Sequence, residues 1–315
     1  MIKASGTAHA KVILTGEHAV VHHEPAIALP FPVLTARAAV EPGNGEVLFT
    51  AGNYCGSLQT VPARLKGLAL CIEKTLKFLR QPCRDLHIKL ESDIPTGRGL
   101  GSSAATAVAV VRGLARFFRC PLSHKELTGL LNVSEKYAHG SPSGIDLEAS
   151  VSRFPIYFIK GRKPERLVIR RPFYLAVADT GKPGNTKLAV NSILEKRKTD
   201  PVRTGESIRR LGQLTVQAKD ALREGNVTIL GRLIDSAQTE LRKLGVSDNN
   251  IDYFVRTAKQ SGALGAKLTG GGRGGCIIAL AENKEHAVRI CDALLFKGAG
   301  QTWFFQVEKS TEELE

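Results

Sequence analysis

The sequence predicts an α+β protein in two domains, and three observations carry that expectation. Its 315 residues exceed the roughly 100–200 of a single domain. Stretches of two-residue alternation and stretches of helical periodicity are mixed, without the strict strand–helix–strand rhythm of a parallel sheet. The composition, 43% hydrophobic and 23% charged with 31 glycines and 14 prolines, is that of a globular chain and not of a disordered or fibrous one.

Ala8 to Leu14 is strand-like, and Gly16-Glu17-His18 breaks it. Ala26 to Val40 reads as further strand interrupted by Pro30 and Pro32, and Pro42-Gly43-Asn44-Gly45 reads as a turn before a returning strand, Glu46 to Thr50. Leu65, Leu68, Ala69, Ile72, Leu76 and Leu79 recur at helical spacing within 61–79. Leu86 to Leu90 alternates as a half-buried strand and leads through a glycine-rich turn into a small-residue helix, Ala104 to Phe118. A helix over 123–139 follows. The breakers in Gly140-Ser141-Pro142-Ser143-Gly144-Ile145-Asp146 then predict a loop.

Phe154 to Ile159 is strand-like, and the basic, turn-rich stretch from Lys160 to Pro172 is the expected boundary between domains 1–170 and 171–315. The second domain should hold a strand over 173–178 and helices near 187–197, 204–224, 226–243 and 248–261. A strand–loop–strand at 263–281, a helix at 284–296 and a last strand at 301–307 complete it. The acidic tail after Val307 is expected to fray.

The formal net charge is +14, which admits nucleic acid, anionic lipid or small anionic metabolites as partners. The excess sits mainly in the second half, in two patches, Lys160 to Arg171 and Lys196 to Arg210, each with six basic residues. Neither is interleaved with the aromatics that stack on single-stranded nucleic acid, and solvated faces account for both. No apolar run approaches the ~18 residues needed to span a bilayer. Met1-Ile2-Lys3-Ala4-Ser5-Gly6-Thr7 lacks the pattern of a secretory signal, so a cytoplasmic protein without nucleic-acid or membrane partners is expected. The six cysteines show no C-x-x-C and no zinc-ligand spacing, and read as reduced thiols.

Four segments carry chemistry. In Pro95-Thr96-Gly97-Arg98-Gly99-Leu100-Gly101-Ser102-Ser103 three glycines follow a strand and open a helix. Glycine permits positive φ and close approach of backbone to ligand, and the first turn of a helix offers unpaired N–H groups to an anion. The spacing is neither that of a P-loop nor that of the dinucleotide fingerprint. A phosphate cradle and a structural turn both fit it. Gly270-Gly271-Gly272-Arg273-Gly274-Gly275 has more glycine than a hairpin needs, and suits either a flexible hairpin or a second loop closing on the same polyphosphate.

Glu135 near a helix end and Asp146 after a rigid turn are carboxylates suited to holding Mg²⁺ or accepting a proton. An exposed helix acid and an N-cap are their plain alternatives. Lys11, inside an apolar strand, is expensive to bury without an opposite charge and otherwise belongs on an exposed edge. Thr186-Lys187 suits a phosphate contact or a helix start.

In order and in detail these segments resemble the GHMP kinase superfamily, and within it the mevalonate kinase family. Lys11 to His18 with Ala19-Val20-Val21-His22 resembles the K-x-x-x-x-GEHAVV opening. Residues 95–105 resemble the P-x-G-x-GLGSSAA phosphate loop, and Glu135 with His139-Gly140-x-Pro142-Ser143-Gly144-x-Asp146 resembles E-x₃-HG-x-PSG-x-D. Residues 179–187 and 267–276 are similar to D-T…[NS]-T-[KR] and KLTG-[AG]-G-x-GGC.

The resemblance implies an N-terminal domain like ribosomal protein S5 domain 2 and a ferredoxin-like C-terminal domain. It also implies transfer of a phosphoryl group from ATP to the C5 hydroxyl of mevalonate, in the route to isoprenoids. Asp146 would be the base, and Lys11 would pair with it and stabilise the transferring group. Glu135 and Ser103 would hold Mg²⁺, with Ser102 the alternative hydroxyl. Pro95, Gly97, Arg98, Gly99, Leu100, Gly101, Ser102, Ser103 and Ala104 would wrap the ATP phosphates, with Thr186 near the γ-phosphate. Glu17, His18 and Gly271 would line the acceptor pocket with Lys11 and Asp146. Another GHMP small-molecule kinase, acting on phosphomevalonate, a sugar or a sugar phosphate, is the second reading, and a homodimer stays open. Arg98, Arg273 and His23 stand where the family commonly has small residues or Gly.

Overall fold

The computed structural model describes residues 3–139 and 143–310, and its backbone divides into two units. Gly140, Ser141 and Pro142 of the expected loop, the side chains of His139 and Lys187, and residues 311–315 of the tail lie outside the described residues. Each unit is discontinuous in sequence. One comprises the chain up to Ala10, Leu34–Pro95 and Gly101–Arg153; the other comprises Lys11–Val33, Thr96–Leu100 and everything from Phe154.

Strands β1 (Ala4–Thr15) and β2 (Ala26–Glu46) pair with each other, and each passes from one unit to the other. The first unit adds β3 (Leu48–Ala51), β4 (Tyr54–Ser57), α1 (Lys66–Phe78), β5 (Arg84–Ser92), α2 (Ser102–Phe117), α3 (His124–His139) and α4 (Ile145–Val151). Its strands run in the order β4-β3-β5-β2, with β5 antiparallel to β2 and β3 parallel to β5.

The turn expected at Pro42 to Gly45 does not form. The strand continues to Glu46, with a shift in register between Pro42 and Glu46 that takes up the extra residues as a bulge. The stretch after it therefore does not return along β2; β3 pairs instead with β4 and β5. Pro30 and Pro32 also fail to break the strand, falling between its pairing with β6 (Ile156–Phe158) at Ala26–Ala28 and its pairing with β5 from Ala36.

Small residues let α2 lie close against its neighbours. A Cβ on Gly6 of β1 would stand 2.1 Å from the Ala109 carbonyl oxygen of α2. Helices α2, α3 and α4 pack against one another. The chain is already helical from Ile145, with Gly144 at φ 92° as the N-cap, so Asp146 lies in the first turn and is not the cap.

The second unit contains β6, β7 (Glu165–Arg166), β8 (Phe173–Asp179), α5 (Thr186–Thr199), α6 (Pro201–Glu224), α7 (Val227–Lys243), α8 (Asn249–Gln260), β9 (Gly265–Thr269), β10 (Cys276–Ala281), α9 (Lys284–Phe296) and β11 (Gln301–Val307). Helix α6 starts three residues before the expected 204, because Asp200 caps it through Arg203 N–H and Pro201 takes the first turn, where a missing amide hydrogen is harmless. Strands β8 to β11 form an antiparallel sheet in the order β11-β8-β10-β9. Counted from β8 as the first strand this is 4-1-3-2, with helices following the first and third strands. The expectation of a ferredoxin-like arrangement holds. Helices α7, α8 and α9 pack on this sheet, whose β9 and β10 are buried throughout.

Candidate active site

Three glycine-rich or turn-rich segments are laced together in the second unit. In the first, Gly97, Gly99 and the following Gly101 all have φ between 73° and 78°, a region that side-chain-bearing residues enter only with strain. Gly99 has a second reason: a Cβ there would sit 2.8 Å from the Thr269 carbonyl oxygen. In the second segment, Gly270 could not carry a Cβ without meeting the Gly99 Cα at 2.7 Å. A Cβ on Gly271 would fall 2.3 Å from Thr186 Oγ1, and one on Gly274 would fall 2.5 Å from the Pro183 carbonyl oxygen.

The third segment, 180–186, is bonded to both others. Gly184 N–H donates to Gly97 O at 2.8 Å, Gly275 N–H donates to Lys182 O at 2.7 Å, and Thr180 donates through N–H and Oγ1–H to Gly275 O. The excess glycine at 270–275 is thus explained by backbone running against backbone, and the bland reading of a flexible hairpin does not hold. Thr186 opens α5 beneath the cap that Asn185 forms with Leu188 N–H.

Lys11 is buried, not on an exposed edge. It is 1% exposed, its Nζ donates to Gly99 O at 2.9 Å, and its backbone N–H donates to Leu100 O at 3.0 Å. The expectation for a buried Lys11 is an opposite charge; the partner at Gly99 is a neutral carbonyl oxygen of the phosphate loop. Arg98, beside it, directs Nε to Asp179 Oδ2 at 2.7 Å, so it does not simply project into solvent. Arg273 holds Ser192 Oγ through Nη2 at 2.9 Å, in a left-handed turn with φ 53°.

Glu17 and His18 follow the end of β1. Glu17 is 1% exposed and ion-paired with Lys267 of β9, itself fully buried. Burial pushes the Glu17 carboxyl up and the Lys267 ammonium down, each opposed by the charge of the other. His18 has φ 61° and its Nε2 meets Gly271 O at 2.9 Å. Burial, with Lys267 nearby, pushes its pKa down to about 4, so the ring is neutral at pH 7. Because a carbonyl only accepts, Nε2 carries the proton and Nδ1 keeps its lone pair. His23 adopts φ 67°, in the left-handed region that favours glycine.

The remaining expected residues lie in the first unit. Ser102 and Ser103 open α2, whose N-cap, Gly101, offers no side chain to its amides. Ser102 Oγ donates to Ile94 O at 3.3 Å, whereas Ser103 is exposed, and Ala104 behind them is buried. Pro95 is half-buried at the end of the preceding segment. Glu135 is a buried carboxylate on α3, and Asp146 is half-buried in the first turn of α4. The structure thus gathers Lys11, Glu17, His18, Gly97–Leu100, Thr186 and Gly271 within one unit. It gathers Ser102, Ser103, Ala104, Glu135 and Asp146 on three mutually packed helices of the other.

Two participants escaped the sequence reading. Lys267 and Thr269 are buried in β9, and Thr269 Oγ1 both accepts from Ile13 N–H at 2.8 Å and donates to Ile13 O at 3.1 Å. Lys267 breaks an apolar strand as Lys11 does, and the same argument applied there would have found it.

Comparison with known proteins agrees with this arrangement. The family model of the GHMP kinases N terminal domain matches residues 65–153, and that of the GHMP kinases C terminal region matches residues 218–300. A mevalonate kinase of Pyrococcus furiosus is 31% identical over an alignment covering 91% of this chain and 92% of that protein. The crystal structure of L. major mevalonate kinase in complex with R-mevalonate superposes with a TM-score of 0.84 at 27% identity, covering 98% of this chain and 97% of that one. A mevalonate kinase structure from methicillin-resistant Staphylococcus aureus gives 0.73 at 30% identity, with 97% and 99% covered. On both halves of its length, then, the chain belongs to the GHMP kinase family, and its relatives there are mevalonate kinases.

Proposed function

We propose that the protein phosphorylates the C5 hydroxyl of mevalonate with ATP, giving 5-phosphomevalonate and ADP. The observation that carries this reading is the kinship with mevalonate kinases along nine-tenths of the chain, one of which holds R-mevalonate in its crystal structure. The buried Lys11 joined to the phosphate loop is the feature of this chain that best fits it.

In this reading the amides of the Gly97–Gly101 loop and of the uncapped first turn of α2 receive the ATP phosphates, with Thr186 Oγ1 as a further donor. Asp146 takes the proton of the C5 hydroxyl. The freed oxygen forms its bond to the γ-phosphorus as the bond to the β–γ bridging oxygen breaks, and ADP leaves. Lys11 supplies positive charge where negative charge collects on the transferring group. Glu17 and His18 bind the acceptor.

Glu135 and Ser103 supply the hard oxygen donors that Mg²⁺ takes alongside nucleotide phosphates, and a site of this kind needs only one or two carboxylates from the protein. Ser103 is the better hydroxyl, since Ser102 is engaged by Ile94 O. The ion, when bound, neutralises phosphate charge. Division of the chain at 170/171, which separates the two matched family regions, a cytoplasmic location and a homodimeric assembly belong to the same reading.

Incubation with ATP, Mg²⁺ and (R)-mevalonate, followed by phosphorus NMR of the products, tests it. The expected result is one new phosphomonoester coupled to the C5 methylene protons. ADP release no faster than without acceptor contradicts it.

A further inference from the structure

The buried ion pair between Lys267 and Glu17 is not needed to bind phosphate, and burying it is expensive. Taking two charges out of water costs about as much as their attraction returns. A well-packed apolar pair would hold β9 to the segment after β1 as firmly. The pair is also incomplete: Glu17 Oε1 meets Lys267, while Glu17 Oε2 is buried with no hydrogen-bond partner among the described residues. A buried carboxylate oxygen left without a donor is the kind of defect that a folded protein retains where a ligand completes it.

The register of β9 shows what the pair does. Residues two apart in a strand face the same side, so Lys267 and Thr269 of β9 fasten the segment that follows Lys11 from one face, and Gly271, in the turn beyond the strand, fastens it a third time. Lys267 Nζ meets Glu17, Thr269 Oγ1 brackets the backbone of Ile13 from both sides, and Gly271 O receives the ring N–H of His18. The intervening position, Gly270, packs against the phosphate loop at Gly99. β9 and the turn after it are therefore a template for residues 13–18, and of the three fastenings only that of Lys267 is an ion pair.

We propose that Lys267 is a positioning residue for the acceptor: it holds Glu17 through Oε1, so that Oε2 is presented to a hydroxyl of the substrate. This deepens the proposed function and rests on it. Lys267 itself touches no reacting atom. Lys11 lies near enough to add its own repulsion to Lys267, and the charge of Glu17 opposes it.

The test is steady-state kinetics on the full chain with (R)-mevalonate and ATP. Lys267→Met is expected to raise the KM for mevalonate at least tenfold and to leave the KM for ATP within about twofold. A KM for mevalonate within twofold of wild type in a folded variant overturns the proposal. Should Lys267→Met not fold because Glu17 is stranded, Glu17→Gln and the double variant Glu17→Gln/Lys267→Met, which leaves no lone buried charge, are compared instead. If Lys267 acts through Glu17, its removal in the Glu17→Gln background changes the KM for mevalonate by less than about threefold. A change of tenfold there shows that Lys267 acts on the acceptor directly, and the proposal fails. Absence of mevalonate turnover by the wild-type protein is a different failure, that of the proposed function.

Discussion

At the scale of single residues, charge placed out of water sets the chemistry of the candidate site. Asp146 is cast as the base, so Asp146→Asn should lower kcat by about 10²–10⁴-fold while ATP affinity, measured by calorimetry, changes no more than a few-fold. Near wild-type turnover would remove Asp146 from that role.

His18 makes a separate prediction. Its folded pKa of about 4 lies below the ordinary 6.5, so between these values the unfolded chain binds more protons and stability rises with pH. The stabilising contribution is complete above about pH 6.5 and is lost as the pH falls toward 4. By pH 5 the loss should reach about 2 kcal/mol. His18→Gln should remove that part of the pH dependence from urea denaturation curves at pH 7.5 and 5, and identical curves for both proteins would contradict it.

At the scale of elements the glycines separate into two kinds. Gly161 has φ 85° and open space around it, whereas Gly99 has φ 78° and the Thr269 carbonyl oxygen 2.8 Å from where its Cβ would stand. Gly161→Ala should cost about 1–2 kcal/mol from backbone strain alone. Gly99→Ala should cost about 1–3 kcal/mol more through overpacking and weaken ATP binding besides. Thermal melts and ATP titrations of the two variants check this, and equal effects would mean that the laced loops tolerate displacement.

The sequence showed that both glycine clusters were unusual, because loop composition is local information. It did not show that Gly99 and Gly270 are needed by each other, because that contact joins positions 171 residues apart. The same limit explains the other misses. The glycines and Pro42 at 42–45 read as a turn, but pairing with β5 carries the strand through as a bulge. Helix α4 was legible only through the N-cap alternative for Asp146, because its seven residues are too few for a periodic signal. Lys267 opens a recognisable string as Lys11 does, and both interrupt apolar strands, but at 267–276 the glycines that follow carried the signal and the lysine did not stand out.

At the scale of the whole molecule, +14 remains a large net charge. The two basic patches are largely solvated faces with local partners. Arg171 pairs with Glu282 at 2.9 Å, Lys198 with Glu195 at 2.8 Å, and Lys196 Nζ caps the Lys243 carbonyl at 2.7 Å, while Glu165, the one acid within the first patch, is taken by Lys219 from outside it. Exposed pairs of this kind contribute about 0–1 kcal/mol each, whereas an uncompensated charge excess repels itself. Raising NaCl from about 0.02 M to about 0.5 M shortens the screening length from about 20 Å to about 4 Å, so the melting temperature should rise by a few degrees. A fall would show that the ion pairs outweigh the repulsion. No helix among the described residues is long and apolar enough to cross a membrane.

The central claim, that this GHMP kinase takes mevalonate, is tested most directly by kcat/KM across an acceptor panel. Mevalonate, phosphomevalonate, galactose and homoserine would be compared at fixed ATP and Mg²⁺. Mevalonate should exceed every other acceptor by at least about 100-fold, the discrimination expected of a site whose buried polar groups are built to pair with their substrate. A comparable or higher value for any of the other three would contradict the assignment.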